Sequence, residues 1–278
     1  MAIQIFNAVI TKLQMVDDGS YNIIEDLECT SGIISASNLG GGVSSFTLLT
    51  KLDASDTLSY GGSGTTWTDL IGSNDGDLQA GSGTLTYSNS NPDYFDLSGG
   101  TNTRIVVSNS SDINLSTSTS KAYSAWIKAD AVGFMSFARV IFSKQSGNPT
   151  SDGFRMDINS SNQLGARITS DNGATTKYIS GIGATISTGT WYLVTLIAQV
   201  SSTADTFKLF INSTEVGSTS GGGSSINDTN DLYIGNYHSG LQNQTSFNGQ
   251  ISQFYVHSGF TASDVTTLFD NTKSDYGY

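Results

Sequence analysis

The chain has 278 residues, of which 12 are Lys or Arg and 24 are Asp or Glu, so its formal net charge is -12. This charge argues against a nucleic-acid partner, because affinity for phosphate backbones depends on clustered Lys and Arg. Only 13% of the residues are charged, 31 are Gly and 2 are Pro. Such a composition is typical of many short strands joined by turns, and it argues against a helical bundle.

Residues 1–45 differ in character from the rest of the chain. They predict a strand over residues 2–13, a turn at 15–20 and a second strand over 21–27, and the Gly-rich stretch 37–45 that follows is the best linker candidate. A segment this short can bury little surface alone. We therefore expect an anchoring arm that docks on another protein or pairs with copies of itself, giving a homo-oligomer. The alternative is a hairpin of the main domain.

The first residues contain neither a basic segment nor a long apolar run, and no window approaches the roughly 18 apolar residues of a membrane span. We therefore expect synthesis in the cytoplasm and no membrane partner. The single cysteine, Cys29, excludes an intrachain disulfide. With only two histidines, His238 and His257, a metal site built on Cys or His is not expected either.

From residue 46 to residue 278 the sequence predicts one all-β domain. Short apolar runs alternate with turns rich in Gly, Asn, Ser and Asp, which is the pattern of an antiparallel β-sandwich. Trp126 and Trp191 fall within two of these strands, whose flanking residues can supply the facing layers of the sandwich, and we expect both rings to be buried in the core rather than exposed as platforms for a sugar. The clearest strands are predicted over residues 122–127, 140–143, 153–157, 191–197, 207–211, 232–234 and 251–256.

One short helix is predicted near the C-terminus. Thr261 and Asp264 have the spacing of an N-terminal capping pair, and Val265, Leu268 and Phe269 follow at helical spacing. The fold class is therefore an antiparallel β-sandwich with a short N-terminal β arm and one short C-terminal helix.

Six segments follow one another along the chain with recognisable local patterns: 59–70, 94–96 with 105–107, the Trp-bearing strand 122–127, 190–194, 209–212, and 247–251 with the helix that follows. In this order they resemble segments of laminin G-like and concanavalin A-like lectin/glucanase jelly rolls. The resemblance implies a jelly roll from residue 46 to residue 278. It says less about function, because many functions share one fold.

The glucanases of this fold carry two glutamates on one strand, with an aspartate between them, as nucleophile and general acid. This chain has no glutamate between Glu28 and Glu215, and retaining glycoside hydrolysis requires a pair of carboxylates. The G-x-S-x-G pattern of a serine hydrolase is also absent from the sequence. We therefore expect a protein that is not an enzyme.

Calcium is the one metal that the resemblance raises. In the pentraxin branch of this fold the ligands fall at positions that correspond to Asn102, Thr103 and residues 237–239, where this chain has no carboxylate. Ca²⁺ prefers several oxygen ligands that include carboxylates. Asp69 or Asp96 is instead the candidate for a structural Ca²⁺ held together with backbone carbonyls, and the alternative is that both residues cap turns. No other cofactor is expected.

The loop after the predicted strand 232–234 is the candidate ligand-binding segment. Planar amides bind sugar hydroxyls, and aromatic rings pack on the apolar faces of sugars. The alternative is a neutral surface loop without a ligand. The candidate residues are Asn236, Tyr237, His238, Gln242, Asn243 and Gln244.

Three functions remain open. The first is a non-enzymatic virion structural protein, a phage fibre or capsid-decoration subunit that displays a lectin-like, glycan-binding jelly roll. It fits the short arm and the resemblance of residues 59–70 to domains of phage particle proteins. Its partners would be other virion proteins, through residues 1–45, and cell-surface glycans, and it would be assembled into the virion in the host cytoplasm. The second is a bacterial carbohydrate-binding module or adhesin, and the third is a glycoside hydrolase.

Overall fold

The computed structural model describes residues 46–98, 102–115, 120–131, 139–145, 152–171, 173–226, 228–237 and 246–278, together with the backbone of four strands among the first 45 residues. Of these four, β2 (Ala8–Asp17) pairs with β3 (Ser20–Cys29), and β1 (Ile3–Ile5) pairs with β4 (Gly32–Ile34), both in antiparallel fashion. The predicted succession of strand, turn and strand is confirmed, although the single strand predicted over 2–13 is divided between β1 and β2. The Gly-rich stretch 37–45 lies outside the described residues.

The strands from residue 47 onward form two antiparallel sheets. Sheet A has the order β15 (Thr175–Thr185), β14 (Gln163–Ser170), β13 (Gly153–Ile158), β12 (Arg139–Ser143), β19 (Leu232–Ile234), β10 (Arg104–Val107), β7 (Gly76–Gln79) and β6 (Thr66–Trp67). Sheet B has the order β18 (Thr214–Gly222), β17 (Ala204–Ile211), β16 (Trp191–Gln199), β11 (Ser120–Ala129), β20 (Asn248–Ser258), β9 (Tyr94–Ser98) and β8 (Thr84–Ser88), with β5 (Thr47–Asp53) beside the second half of β20. The predicted β-sandwich is confirmed.

The main core lies between the two sheets, because alternate residues of each strand point to opposite faces. In sheet A, Phe154 and Met156 of β13 point inward, and in sheet B, Tyr123 and Ala125 of β11 do so. The rings of Tyr123 and Phe154 meet across the interface with their centroids 4.3 Å apart. The same alternation turns the intervening residues of sheet A outward, toward the surface where the candidate site lies.

The C-terminal segment covers part of the outer face of sheet B. Helix α1 (Ala262–Thr272) begins after Thr261, as predicted, and continues into a 3-10 turn over Lys273–Tyr276. Trp126 is fully buried beneath this segment, and its ring stacks on that of Tyr276 at 3.8 Å. No helix in the part of the chain described by the structure is long and apolar enough to cross a membrane.

The predicted burial of the two strand-borne tryptophans is confirmed, although they do not lie between the two sheets. Trp126 and Trp191 are buried, at 0% and 8% exposure, but they belong to a second cluster between sheet B and the C-terminal segment. Trp67 of β6 is the tryptophan in the core between the sheets. The strand pattern predicts burial on both faces, but it does not show what covers the outer one.

Candidate functional site

The predicted ligand-binding loop is closed at its base by a set of hydrogen bonds. Gly235 follows β19 and has φ 84°, a left-handed conformation that favours glycine, and its carbonyl accepts the N–H of Phe247 at 2.8 Å. The Asn236 Nδ2 donates to Ser246 Oγ at 2.8 Å and to the carbonyl of Thr103 at 3.3 Å. Asn236 is 3% exposed, so its amide fastens the loop to the sheet. The expectation that it binds a sugar hydroxyl does not fit this position.

Tyr237 is also buried, with 4% of its surface exposed. Its hydroxyl donates to Gln145 Oε1 at 3.2 Å, and Gln145 Nε2 donates to Thr169 Oγ1 at 3.0 Å. The ring therefore offers no open face for a sugar, which corrects the stacking role expected of it. His238, Gln242, Asn243 and Gln244 lie outside the described residues, and their binding role stays a prediction.

The position of Tyr237 nevertheless draws attention to the outer face of sheet A. Burial raises the pKa of Tyr237, and the charges of Arg155 and Arg167 act in the opposite direction. Thr169 follows the inward-facing Ile168 on β14 and so points outward. Tyr237 thus packs on the outer face of sheet A, next to two arginines that are not among the site residues predicted from the sequence.

A row of side chains crosses this outer face on three adjacent strands. Arg155 of β13 is paired with Arg167 of β14, and Arg167 is paired with Tyr178 of β15. Tyr178 is 65% exposed, and the Arg167 Cζ lies 5.5 Å from the centroid of its ring, within the range of a cation–π contact. We call these three residues the Arg–Tyr row.

Asp157 lies beside the row on β13. Its Oδ2 lies 2.8 Å from the Arg155 Nε, so the two side chains form an ion pair. Burial raises the pKa of Asp157, and the two arginines Arg155 and Arg167 counteract this effect. The carboxylate is thus held among guanidinium groups, where it orients Arg155.

Further along the same face, Arg104 of β10 lies over Tyr233 of β19. The Arg104 Cζ is 5.2 Å from the centroid of the Tyr233 ring, and its Nε donates to Gln79 Oε1 at 2.9 Å. Unlike Tyr178, Tyr233 is buried. The face therefore presents guanidinium groups along much of its width, and among the described residues the exposed ring of Tyr178 lies at its β15 edge.

The first predicted calcium ligand caps a turn. Asp69 Oδ1 accepts the N–H groups of Lys51 at 2.9 Å and Ile71 at 3.1 Å, and Oδ2 accepts that of Asn74 at 3.1 Å. Both carboxylate oxygens are thus used by backbone donors of the surrounding turn. A calcium ion does not fit this arrangement, and the alternative role of Asp69 as a turn cap accounts for it.

The second predicted ligand, Asp96, lies on the outer face of sheet B near another carboxylate. Gln250 Nε2 lies 3.4 Å from Asp96 Oδ2 and 3.2 Å from Asp130 Oδ1, so one amide bridges the two acids. Burial raises the pKa of Asp130, and the charge of Asp96 raises it further. Among the described residues no group of three or more His, Cys, Asp or Glu side chains could hold a metal ion. A calcium ion at Asp96 stays a prediction.

The outward-facing arginines have a signal in the sequence, although they are absent from the predicted site. In 153–158 and 163–170, a single arginine stands between apolar neighbours that alternate with it, as in Phe154, Arg155 and Met156. This pattern predicts an outward-facing cation on a half-buried strand. The meeting of Arg155, Arg167 and Tyr178 depends in addition on the register of three strands, which the pattern alone does not give.

Comparison with known proteins agrees with the fold. The family model described as the concanavalin A-like lectin/glucanases superfamily matches residues 98–265, more than half of the chain. Among curated protein sequences, none matches this chain.

Solved structures share the architecture at low sequence identity. The binding domain of Paraclostridial Mosquitocidal Protein 1 superposes with a TM-score of 0.59 at 17% identity, over 81% of this chain and 52% of that one. Domain 4 of AbnA, a GH43 extracellular arabinanase from Geobacillus stearothermophilus solved with arabinotriose, gives 0.56 at 17% identity, over 80% and 98%. Trypanosoma rangeli sialidase gives 0.56 at 13% identity, over 83% and 34%. The chain thus spans about half of the mosquitocidal fragment and about a third of the sialidase.

Proposed function

The chain belongs to the concanavalin A-like lectin/glucanases superfamily, and from that premise we propose that it is a non-enzymatic, lectin-like protein that binds glycans on the outer face of sheet A. The observation that carries the proposal is Tyr178. Its ring is 65% exposed on a sheet face and belongs to one row with two arginines, so an aromatic surface and two cationic groups are available to a ligand together.

The chemistry of the Arg–Tyr row suits a sugar. An exposed aromatic ring can pack against the apolar face of a pyranose, while the planar guanidinium groups of Arg155 and Arg167 can donate several hydrogen bonds to ring substituents. The row lies on paired strands, so its side chains are held on a rigid element. One structural neighbour, the arabinanase domain, was solved with an oligosaccharide.

We also propose that the protein does not hydrolyse the glycans that it binds. Retaining hydrolysis of a glycoside needs two carboxyl groups about 5 Å apart, and the inverting reaction needs two about 6.5–9.5 Å apart. The carboxylate described beside the Arg–Tyr row belongs to Asp157, which forms an ion pair with Arg155 at 2.8 Å. Asp157 is already used in this ion pair, so it does not by itself supply the two carboxyl groups that either reaction requires.

The test is a glycan array probed with the full chain and with Tyr178→Ala. Loss of the exposed ring is expected to reduce binding by about tenfold or more, since a stacking contact contributes on the order of 1 kcal/mol or more. The melting temperature should change little, because the ring is mostly in solvent.

Tyr278→Ala is the matched control: this tyrosine is also half exposed but lies over the outer face of sheet B, and its loss should leave binding unchanged. Full binding by Tyr178→Ala would contradict the proposed surface.

We further propose that the jelly roll is displayed on a virus particle, with residues 1–45 as its anchor. The support is that the strands β1 to β4 pair with one another in two small sheets, separate from the two sheets of the sandwich. Mass spectrometry of purified particles tests this role, and detection of the chain there is the expected result. A bacterial carbohydrate-binding module or adhesin, the second candidate, would instead be found on or outside the bacterial cell.

A further inference from the structure

Arginine is distributed unevenly in this chain. Its four arginines, Arg104, Arg139, Arg155 and Arg167, all lie on strands of sheet A. Three of them, all except Arg139, alternate with residues of the core and therefore face outward. This concentrates guanidinium groups on one face of a molecule whose net charge is -12.

The pairing of Arg155 with Arg167 is unfavourable for folding. Like charges directly opposite each other on neighbouring strands destabilise a sheet, and these two residues are in direct register. Asp157 offsets part of the repulsion, since it pairs with Arg155 and acts on Arg167 through its charge. One carboxylate balances one guanidinium, however, so the three side chains together keep a positive charge. Positive charge on this part of the face attracts an anionic ligand.

We infer that the ligand of the Arg–Tyr row is a saccharide that bears a carboxylate, an inference that rests on the glycan-binding function proposed above. The guanidinium fork matches the two oxygens of a carboxylate with parallel hydrogen bonds. Tyr178 lies opposite Arg167, one strand spacing of about 4.8 Å away. A sugar ring packed on Tyr178 can therefore direct an acid substituent toward Arg167 and Arg155.

The charge of the whole molecule favours a sparsely charged ligand. A net charge of -12 repels a polyanion at long range, whereas a saccharide with one or a few carboxylates interacts mainly with the local positive charge of the row. A densely sulfated glycan is therefore the less favoured ligand. The planar fork of Arg also distinguishes this site from one built on lysine, whose ammonium is a point charge.

The experiment uses matched pairs of oligosaccharides titrated calorimetrically into the full chain. Trigalacturonate, a hyaluronan tetrasaccharide and sialyllactose are each compared with the methyl ester, which keeps the sugar and removes the charge. At least one acid is expected to bind about tenfold or more tightly than its ester. Arg167→Gln should abolish this preference, and Arg155→Lys, which keeps the charge and loses the fork, should weaken it.

Lys208→Gln is the matched control for charge. Lys208 forms an exposed pair with Glu215 at 3.0 Å on sheet B, so its replacement removes one positive charge from the other sheet and should leave the preference intact. Circular dichroism melts of each variant confirm that it is folded.

The outcomes separate this inference from the function on which it rests. Equal binding of acids and esters, or binding of 3′-sulfolactose with none of the carboxylates, would overturn the carboxylate inference while glycan binding itself stands. An equal loss of preference in Lys208→Gln would overturn the assignment to the row. If no glycan binds at all, the proposed function fails first.

Discussion

Trp126 lies beneath the C-terminal segment, where its ring stacks on Tyr276 and its Nε1 donates to Thr272 Oγ1 at 2.9 Å. Trp126→Ala would leave a cavity between sheet B and α1, and such truncations cost about 3–5 kcal/mol. Urea denaturation should therefore show a much lower midpoint. Leu58→Ala is the control, because this side chain is 80% exposed and its loss should change the free energy of unfolding by less than about 0.5 kcal/mol. A Trp126→Ala midpoint equal to that of the parent would contradict the burial.

His257 of β20 makes the stability of the fold depend on pH. Its ring is buried against Phe46 and Phe260, and its Nδ1 has no hydrogen-bond partner among the described residues. Burial lowers the pKa of His257 to about 3, although the charge of Asp264 acts against this shift. In the unfolded chain the pKa is about 6.5, so below that pH the unfolded state binds the proton and the native state does not.

The contribution of neutral, buried His257 to the free energy of unfolding is therefore fully present above about pH 6.5. As the pH falls from there toward the pKa of the folded state, we expect the free energy of unfolding to decrease by about 1.4 kcal/mol per pH unit. Denaturant titrations at pH 7, 6 and 5 measure this slope in the parent and in His257→Leu, which should lack that part of the dependence. Parallel curves for the two proteins would show that His257 accepts a proton within the folded state.

At the scale of elements, helix α1 depends on its N-terminal cap. The Asp264 carboxylate accepts the backbone N–H of Thr261 at 2.8 Å and its hydroxyl at 2.6 Å. Asp264→Ala should destabilise the protein by about 1 kcal/mol, because a donor at the first turn loses its partner. Asp270→Ala is the matched control within the same helix, since its pair with Lys273 is exposed and worth little. Thermal melts that shift equally for both variants would contradict the capping role.

The elements whose signals are local were predictable, and those that depend on pairing were not. Strand β17 follows from the alternation of Phe207, Leu209 and Ile211, and α1 follows from its cap. The Tyr237 ring is buried against the outer face of sheet A, where its hydroxyl contacts Gln145, which is 92 residues away. The periodicity of a single segment does not indicate such a contact. The sequence therefore predicted the loop but predicted an exposed aromatic ring where the ring is buried.

At the scale of the whole molecule, the N-terminal arm adds two small sheets to the sandwich. Strands β2 and β3 form one two-stranded sheet, and β1 and β4 form the other. A two-stranded ribbon is at best marginally stable in water, and its open edges can pair with another chain. The segment 1–45 also carries many Ile and Val residues, such as Ile23 and Ile24. These features favour contact between arms of different copies.

We therefore predict that the full chain is an oligomer and that deletion of residues 1–45 yields a monomer. The two sheets of the sandwich are built from strands at residue 47 and beyond, so the truncated protein should keep its core and its thermal melting curve. Light scattering after size-exclusion chromatography measures the mass of each form. The glycan affinity per site should be unchanged, whereas binding to a dense glycan surface should weaken because linked sites no longer act together. A full chain that is monomeric, or a truncated chain that keeps the oligomeric mass, would show that the arm does not hold copies together.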